Sequence, residues 1–505
     1  MLSQPPDLYA TLGVGRRATT DEVEAAFAAW EARVGGGEAI ADEVWQRVRY
    51  AHEVLSNPQR RSLYESLVAE TAVAGLDLSL TVSATTLPLL DTPQVVYALV
   101  TLAARESAAA RRPLTLGLVL DRSTSMRGER LEKVVAAVEL LLDRLAPDDA
   151  LAVVSFSDRA EVVLPAAVLG ASHAQSVGHA LSATHADRDT AAAWRDPRRR
   201  LRTLAASGGT EIYQGLRAGL DEVSRLGGDG RTTHLILLTD GHTYGDADHC
   251  LRLAAAAAAR GIGITAFGLG ADWNDAFLDA LVAPSGGQSH FVETPGDVLP
   301  HLEKRLVGLG DIHARAIALR HAWPGQLTLR AGFKLSPFPQ PLAPEANPIP
   351  LGDLEGRAPL SLLLEFVVAP LSVPARFRLP IELRYGQPDG GEASLSRAAQ
   401  LLAQGEASDA APPAALIEAA RRLNLYRMQE KAWEEVQSGQ LDIAAARMRR
   451  LTARYLETGD LRLAHQAQLE AQQLGHLGTM SAEGRKVLKY GTRSLLGQLP
   501  EEGPR

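Results

Sequence analysis

Between residues 114 and 308, short apolar runs alternate with amphipathic stretches. LTLGLVL, LAVVSFS, HLILLT and GITAFGLG are apolar segments bounded by turn-forming residues. Such runs suit strands buried on both faces of a parallel sheet. Leu131, Val134, Val138, Leu141 and Leu145 fall on one helical stripe, and Leu216, Leu220 and Val223 on another. LRLAAAAAARG at 251–261 is small enough to press closely on a sheet. This alternation predicts a doubly wound α/β domain over 113–308 with a mostly parallel sheet. Its ligands are expected at the carboxyl ends of the strands.

The pattern changes on either side. LDLSLTVSATTL alternates apolar and polar positions, and QVVYALVTLAA is rich in branched residues. Both predict strands within 75–110. Residues 311–404 return to strands, with LSLLLEFVV, ARFRLPIELRY and ASLSRAAQLLA as candidates and PFPQPLAPEANPIP at 337–350 as a loop. The two stretches are expected to form one β-sandwich, with the α/β domain inserted between them. After Pro412-Pro413 the chain turns helical over 412–497. GQLDIAAA at 439 and GDLRLAHQ at 459 share Gly, Leu and Ala at the same offsets, which predicts a hairpin of similar helices with glycines at the turns. Residues 1–70 also read as helical, from Val23, Phe27 and Trp30 and from Val44, Val48 and Leu55, with a restart over Gln59–Leu67 after Asn57-Pro58.

Composition narrows the classes. The chain has 505 residues, 46% hydrophobic, enough for several cores. No run of about 20 apolar residues predicts a membrane-spanning helix, and MLSQPPDLYATLG lacks the charged-then-apolar form of a secretion leader. A single cysteine, Cys250, excludes an internal disulfide framework and fits a reducing, cytoplasmic compartment. A net charge of -8 argues against nucleic acid as a partner. The basic run RDPRRRLR at 195–202 is expected to be a solvated loop.

The candidate chemistry begins at LGLVLDRSTSMRGERL, residues 116–131, where a buried run ends in Asp121, Ser123 and Ser125. Asp and Ser also cap helices, so the stretch is ambiguous by itself. SGGTEIYQGL adds Thr210 after two glycines, and LILLTDGHTYGD ends a strand with Asp240. In a parallel sheet these loops emerge on one edge. Two carboxylates and three hydroxyls then converge, an all-oxygen set suited to a hard cation such as Mg²⁺ or Mn²⁺, with Ca²⁺ as an alternative, and unlike a zinc site. Asp-x-Ser-x-Ser, then Thr, then Asp resembles the metal-ion-dependent adhesion site of the von Willebrand factor A domain family. The resemblance covers about 113–308. It implies metal-dependent protein binding completed by a Glu or Asp of the partner, and gives no reason to expect catalysis. The segment 185–203 before Thr210 is expected near the rim of the site.

DLYATLGV, TTDEVEAAFAAW and YAHEVLSNPQRRSLYE resemble the J-domain of Hsp70 co-chaperones over residues 7–65. The family's His-Pro-Asp tripeptide is absent; RVGGGEAIADE stands in its place. The resemblance therefore implies a degenerate, structural or docking module, with Tyr9, Leu12, Phe27 and Leu55 as core. Neither GTEIY nor DRSTS is a Gly-x-Ser-x-Gly nucleophile elbow. His249 and Cys250 are too few for zinc, His242 reads as a loop residue, and Leu425, Tyr426, Met428 and Trp433 read as a packed helix face. The expectation is a cytoplasmic, metal-dependent adaptor. The alternatives are an Hsp70 co-chaperone or a non-catalytic subunit of a AAA+ ATPase or chelatase-like complex.

Overall fold

The computed structural model describes residues 8–12, 14, 18–35, 42–57, 60–61, 76–104, 111–170, 190, 192–226, 228, 230–241, 245–321, 323–356, 358–387, 391–405 and 411–496. The chain divides into two compact units, Met1–Leu76 and Asp77–Arg505.

In the first unit, helices Leu8–Leu12, Thr20–Gly35 and Asp42–Leu55 enclose Leu8, Tyr9, Leu12, Val23, Val48 and Leu55. Phe27 stacks on Trp45 and His52. Thr19 and Glu22 cap the second helix reciprocally, each backbone N–H donating to the other's side chain. Of the helix expected over Gln59–Leu67, only residues 60 and 61 are described, and both are helical. The glycine-rich stretch 36–41 lies outside the described residues.

The second unit carries sixteen described strands. Three precede the α/β domain: β1 (Leu76–Val82), β2 (Thr86–Pro88) and β3 (Gln94–Ala104). Six lie within it: β4 (Leu114–Asp121), β5 (Ala150–Phe156), β6 (Ala160–Val168), β7 (Thr232–Thr239), β8 (Gly263–Leu269) and β9 (Gln288–Val292). Seven follow: β10 (Ile312–Arg320), β11 (Leu327–Ser336), β12 (Gln340–Leu342), β13 (Ile349–Glu355), β14 (Leu360–Val368), β15 (Ala375–Gly386) and β16 (Glu392–Gln404).

The flanking strands build two sheets, β1-β3-β14-β11-β12 and β13-β10-β15-β16-β2. Each mixes strands from before and after the α/β domain. β3 pairs antiparallel with β14 from Gln94↔Val368 to Leu102↔Leu360, and β2 pairs parallel with β16. Trp323 ties the two sheets together: its indole meets Phe366 of β14 and its Nε1 donates to Pro380 O of β15, 2.9 Å away. Within 337–350, expected to be all loop, Gln340–Leu342 forms the edge strand β12 against β11.

The central sheet runs β6-β5-β4-β7-β8-β9. β5, β4, β7, β8 and β9 are parallel, and β6 is antiparallel to β5. β6 contains Pro165, which an edge position tolerates because no ladder N–H is needed there. β4 is buried throughout. Its Leu116, Leu118 and Leu120 pack with Leu131, Val134, Val138 and Leu141 of helix Glu129–Leu142. Its Val119 faces Leu216, Leu220 and Val223 of helix Ile212–Leu226. That helix lies close on the sheet through glycines: a Cβ at Gly219 would stand 2.5 Å from Val119 Cγ2 and one at Gly215 2.6 Å from the Phe156 ring.

The basic run at 195–202 is not a loop. Pro197–Arg202 forms a short helix capped by Asp196, whose side chain accepts the Arg199 N–H. Arg202 makes a two-pronged pair with Glu139, at 2.7 and 2.9 Å, and Arg198 pairs with Asp143. Acids on helix Glu129–Leu142 and just beyond it therefore pair with two of the run's arginines. The described part of 185–203 packs on β6, where Trp194 Nε1 donates to Pro165 O. Residues 185–189, 191 and His242 lie outside the described residues.

Helices Ala414–Gln437, Leu441–Glu457, Leu461–Leu477 and Ala482–Leu496 complete the unit. Gly439 and Gly459, at φ 74° and 80°, occupy the turns between the first three, where a side chain would strain the left-handed backbone. Tyr426 packs on Phe333 of the sandwich, and Trp433 lies under Arg485. The last helix fastens to the α/β domain by charge. Arg485 grips Asp275 at 2.7 and 2.9 Å, Arg493 grips Asp279 at 2.9 and 2.6 Å, and Lys489 bridges both acids. No described helix is long and apolar enough to cross a membrane.

Candidate metal site

Strand termini bring the oxygen cluster together. Asp121 is the last residue of β4, and Asp240 follows the last residue of β7. β4 and β7 are adjacent and parallel, so both carboxylates leave the sheet on its carboxyl edge. Thr210 precedes helix Ile212–Leu226, which the glycines hold against β4 and β5. Asp121, Ser123, Thr210 and Asp240 are all buried, at 1, 2, 5 and 1% exposure, while Ser125 is exposed. The cluster therefore opens outward on the Ser125 side.

A chain of hydrogen bonds links four of the five. Ser123 N–H donates to Asp121 Oδ1 at 2.8 Å, Ser123 Oγ lies 3.0 Å from Ser125 Oγ, and Ser125 Oγ donates to Asp240 Oδ1 at 2.7 Å. Thr210 stands beside Gly241, where an added Cβ would come within 3.0 Å of the threonine Oγ1. The structure thus gathers all five residues named from sequence.

Four partners were not legible there. Thr239 Oγ1 donates to Asp121 Oδ2 at 2.6 Å. Arg130, one-third exposed, donates from Nη1 to Asp240 Oδ2 at 2.6 Å. Asp158 accepts the Gly209 N–H at 2.7 Å, and the Thr124 N–H and hydroxyl both donate to Gly208 O, so the loop carrying Thr210 is pinned at both glycines. The nearest sequence signal was Arg130 at the start of a helix next to the serines; a polar side chain's choice of partner depends on which strands become neighbours.

The electrostatics call for positive charge. Burial pushes the Asp121 carboxyl up to about 6; hydrogen bonds from Thr239 and Ser123 pull against this, and the charge of Asp240 adds to it. Two buried carboxylates face one guanidinium. The donors are oxygen only, two charged and three neutral, which fits Mg²⁺ or Mn²⁺ better than zinc. Among the described residues no group of three or more His, Cys, Asp or Glu side chains forms a metal-holding cluster of another kind. Cys250 is buried, and burial, helped by Asp246, pushes its thiol up to about 12, which leaves it inert as a nucleophile.

Residues 116–304, which hold this sheet, match the family described as the von Willebrand factor type A domain. Residues 116–304 are a von Willebrand factor type A domain. Residues 414–498 match a second family, the Sll0103-like, C-terminal alpha-helical domain. An uncharacterised protein of Synechocystis sp., sll0103, is 31% identical over 297 residues, covering 56% of this chain and 64% of its own. The chain thus matches less than two thirds of that relative's length. Among solved structures, a von Willebrand factor type A protein from Catenulispora acidiphila superposes with a TM-score of 0.63 at 17% identity, over 83% of this chain and 96% of that one. The ArnB paralog VWA2 from Sulfolobus acidocaldarius superposes with a TM-score of 0.53 at 12% identity, over 85% and 100%. At these identities the likeness is one of fold, and it extends beyond the von Willebrand factor type A domain into the flanking modules.

Proposed function

We propose that the protein is a non-catalytic cytoplasmic adaptor whose von Willebrand factor type A domain captures a partner protein through a divalent cation. Asp121, Ser123, Ser125, Thr210 and Asp240 would hold Mg²⁺, with Mn²⁺ or Ca²⁺ as substitutes. The bound ion would supply a Lewis-acidic position for a partner's Glu or Asp carboxylate. The observation that carries this reading is the convergence of five oxygen side chains from three loops, with two carboxylates buried and Ser125 exposed. Asp121 and Asp240 supply the charge, the hydroxyls leave it incompletely neutralised, and the open side gives access. Arg130 keeps Asp240 oriented through its outer oxygen, and Thr239 does the same for Asp121.

Pull-down of partners with and without Mg²⁺ tests the reading. Capture should require the ion and disappear in excess chelator; a complex that persists in chelator overturns it. Asp121→Ala and Asp240→Ala should each abolish ion binding in calorimetry while leaving the fold intact.

A second reading gives the N-terminal helices a J-like docking role beside an Hsp70, or makes the chain a subunit of a AAA+ ATPase complex. The packing of Tyr9, Leu12 and Leu55 into a core of their own is compatible with a docking module. An ATPase-stimulation assay with the host Hsp70 decides the first alternative: no stimulation removes it.

A further inference from the structure

At the opposite edge of the central sheet, a cavity of about 820 Å³ opens between the von Willebrand factor type A domain and the β10 and β13 side of the sandwich. It lies at the amino ends of β7 and β8, which begin at Thr232 and Gly263. Among the described residues, four guanidiniums line it, those of Arg112, Arg231, Arg260 and Arg315, against one carboxylate, Asp353.

Three of these arginines donate to uncharged groups. Arg231 donates from Nε to Thr115 Oγ1 at 2.8 Å and from Nη2 to Leu114 O and Asp148 O, both at 2.9 Å. Arg315 Nη2 donates to Arg231 O at 3.0 Å and to Thr232 Oγ1. Arg260 Nη2 donates to Ser224 Oγ. None of the four pairs with a carboxylate among the described residues, whereas the neighbouring Arg111 is engaged by both Asp148 and Asp149. Asp353 is occupied with the Ala316 N–H, 2.8 Å from its Oδ1.

Carbonyls and hydroxyls thus hold Arg231, Arg260 and Arg315 in place without discharging them. The arrangement has an electrostatic cost. Burial lowers the Arg315 pKa, Asp353 draws it back up, and Arg112 pushes it down again. A chain of net charge -8 has nonetheless collected an excess of positive charge in one recess. Such a recess focuses an attractive field on an anion small enough to enter.

The lining identifies the class of anion. Guanidinium forks match phosphate oxygens two at a time. No aromatic side chain lines the cavity among the described residues, so a nucleobase has nothing to stack on. The volume falls within the usual range for small ligands.

We propose that this cavity is a binding site for a compact oligophosphate anion, gripped by Arg112, Arg231, Arg260 and Arg315. The site is separate from the oxygen cluster and needs no divalent ion.

Titration of the full-length chain with inorganic tripolyphosphate tests it, by calorimetry in about 150 mM salt with chelator present. Saturable one-site binding is expected. Arg112→Gln and Arg260→Gln, which break no strand-supporting bond, should each weaken it about tenfold, in keeping with one charge-assisted hydrogen bond. Arg260→Lys should recover part of the loss, and Asp121→Ala should bind as tightly as the parent. Absence of binding, or parent-like affinity in both glutamine variants, overturns the proposal. So does sulfate binding with the same affinity, which would reduce the recess to a general anion trap. ATP binding tenfold or more tightly than tripolyphosphate would overturn the assignment to a compact oligophosphate.

Discussion

Arg130 and Asp240 set the balance of charge at the oxygen cluster. The Asp240 side chain is fully buried and Arg130 is one-third exposed. Arg130→Ala leaves that carboxylate, and Asp121 beside it, without a cation. The expected loss of stability in the ion-free protein is about 1–2 kcal/mol, less than for a fully buried pair because Arg130 is partly hydrated. Added Mg²⁺ should then raise the melting temperature of the variant by more than that of the parent, which a pair of thermal melts measures. Asp121→Asn is the complementary change. It keeps an acceptor for Thr239 and Ser123 while removing charge, so the ion-free protein should melt at or above the parent temperature and Mg²⁺ should no longer shift it. A parent-sized shift in that variant would show that the ion binds elsewhere. At this scale the gathering of the five oxygen side chains was readable from sequence because Asp-x-Ser-x-Ser is local, a strand end fixes where Asp240 emerges, and Thr210 precedes a helix that packs on the same sheet. Arg130, Thr239 and Asp158 were not, because each acts on a residue brought near only by the fold.

Among the elements, helix Ala482–Leu496 is bound to the von Willebrand factor type A domain by ion pairs and by Tyr490 packing on Trp273 and Phe291. Burial works to raise the Asp279 carboxyl, but Arg493 and Lys489 outweigh it and hold it below the usual carboxylate range. Asp275 is likewise lowered, with burial opposed by Lys489 and Arg485. Carboxyls depressed in the folded state stabilise it fully above the unfolded value, near pH 4, and lose that contribution as pH falls through the folded values. The helix should therefore loosen in acid below about pH 4, earlier than the sheet core; near-UV signals of Trp273 and Tyr490, which lie 5.7 Å apart, would report it. Asp279→Ala, which strands Arg493 at 5% exposure, should cost about 3 kcal/mol in urea melts. Helix Ile212–Leu226 makes a different point. Its stripe was visible as Leu216, Leu220 and Val223, yet its closeness to the sheet rests on Gly215 and Gly219, which a hydrophobic pattern does not count. Gly219→Val should overpack against Val119 and destabilise by about 1–3 kcal/mol, and the shift of the preceding Thr210 loop should weaken Mg²⁺ binding in calorimetry.

For the whole molecule, the organisation into helices, split β-strands, inserted α/β domain and helical tail was legible because hydrophobic period changes at each boundary. The antiparallel course of β6 and the edge strand β12 were not, since proline-bearing edge strands carry little periodic signal. The first unit has its own buried cluster. Deleting residues 1–75 should leave the main melting transition and tripolyphosphate titration unchanged; a lower transition would show that the second unit depends on the first.

The pairing of β3 with β14 also has a consequence in time. Thr101 and Ser361 face each other across that ladder although 260 residues separate them. A ribosome adding about 5–20 residues per second needs some tens of seconds to deliver β14, and throughout that interval β3, with Val96, Ala98, Val100 and Leu102, has β1 on one edge and no partner on the other. The intervening α/β domain can finish folding first. Nascent chains halted just before residue 360 should therefore bind holdase chaperones through β3, and those released past β16 should not.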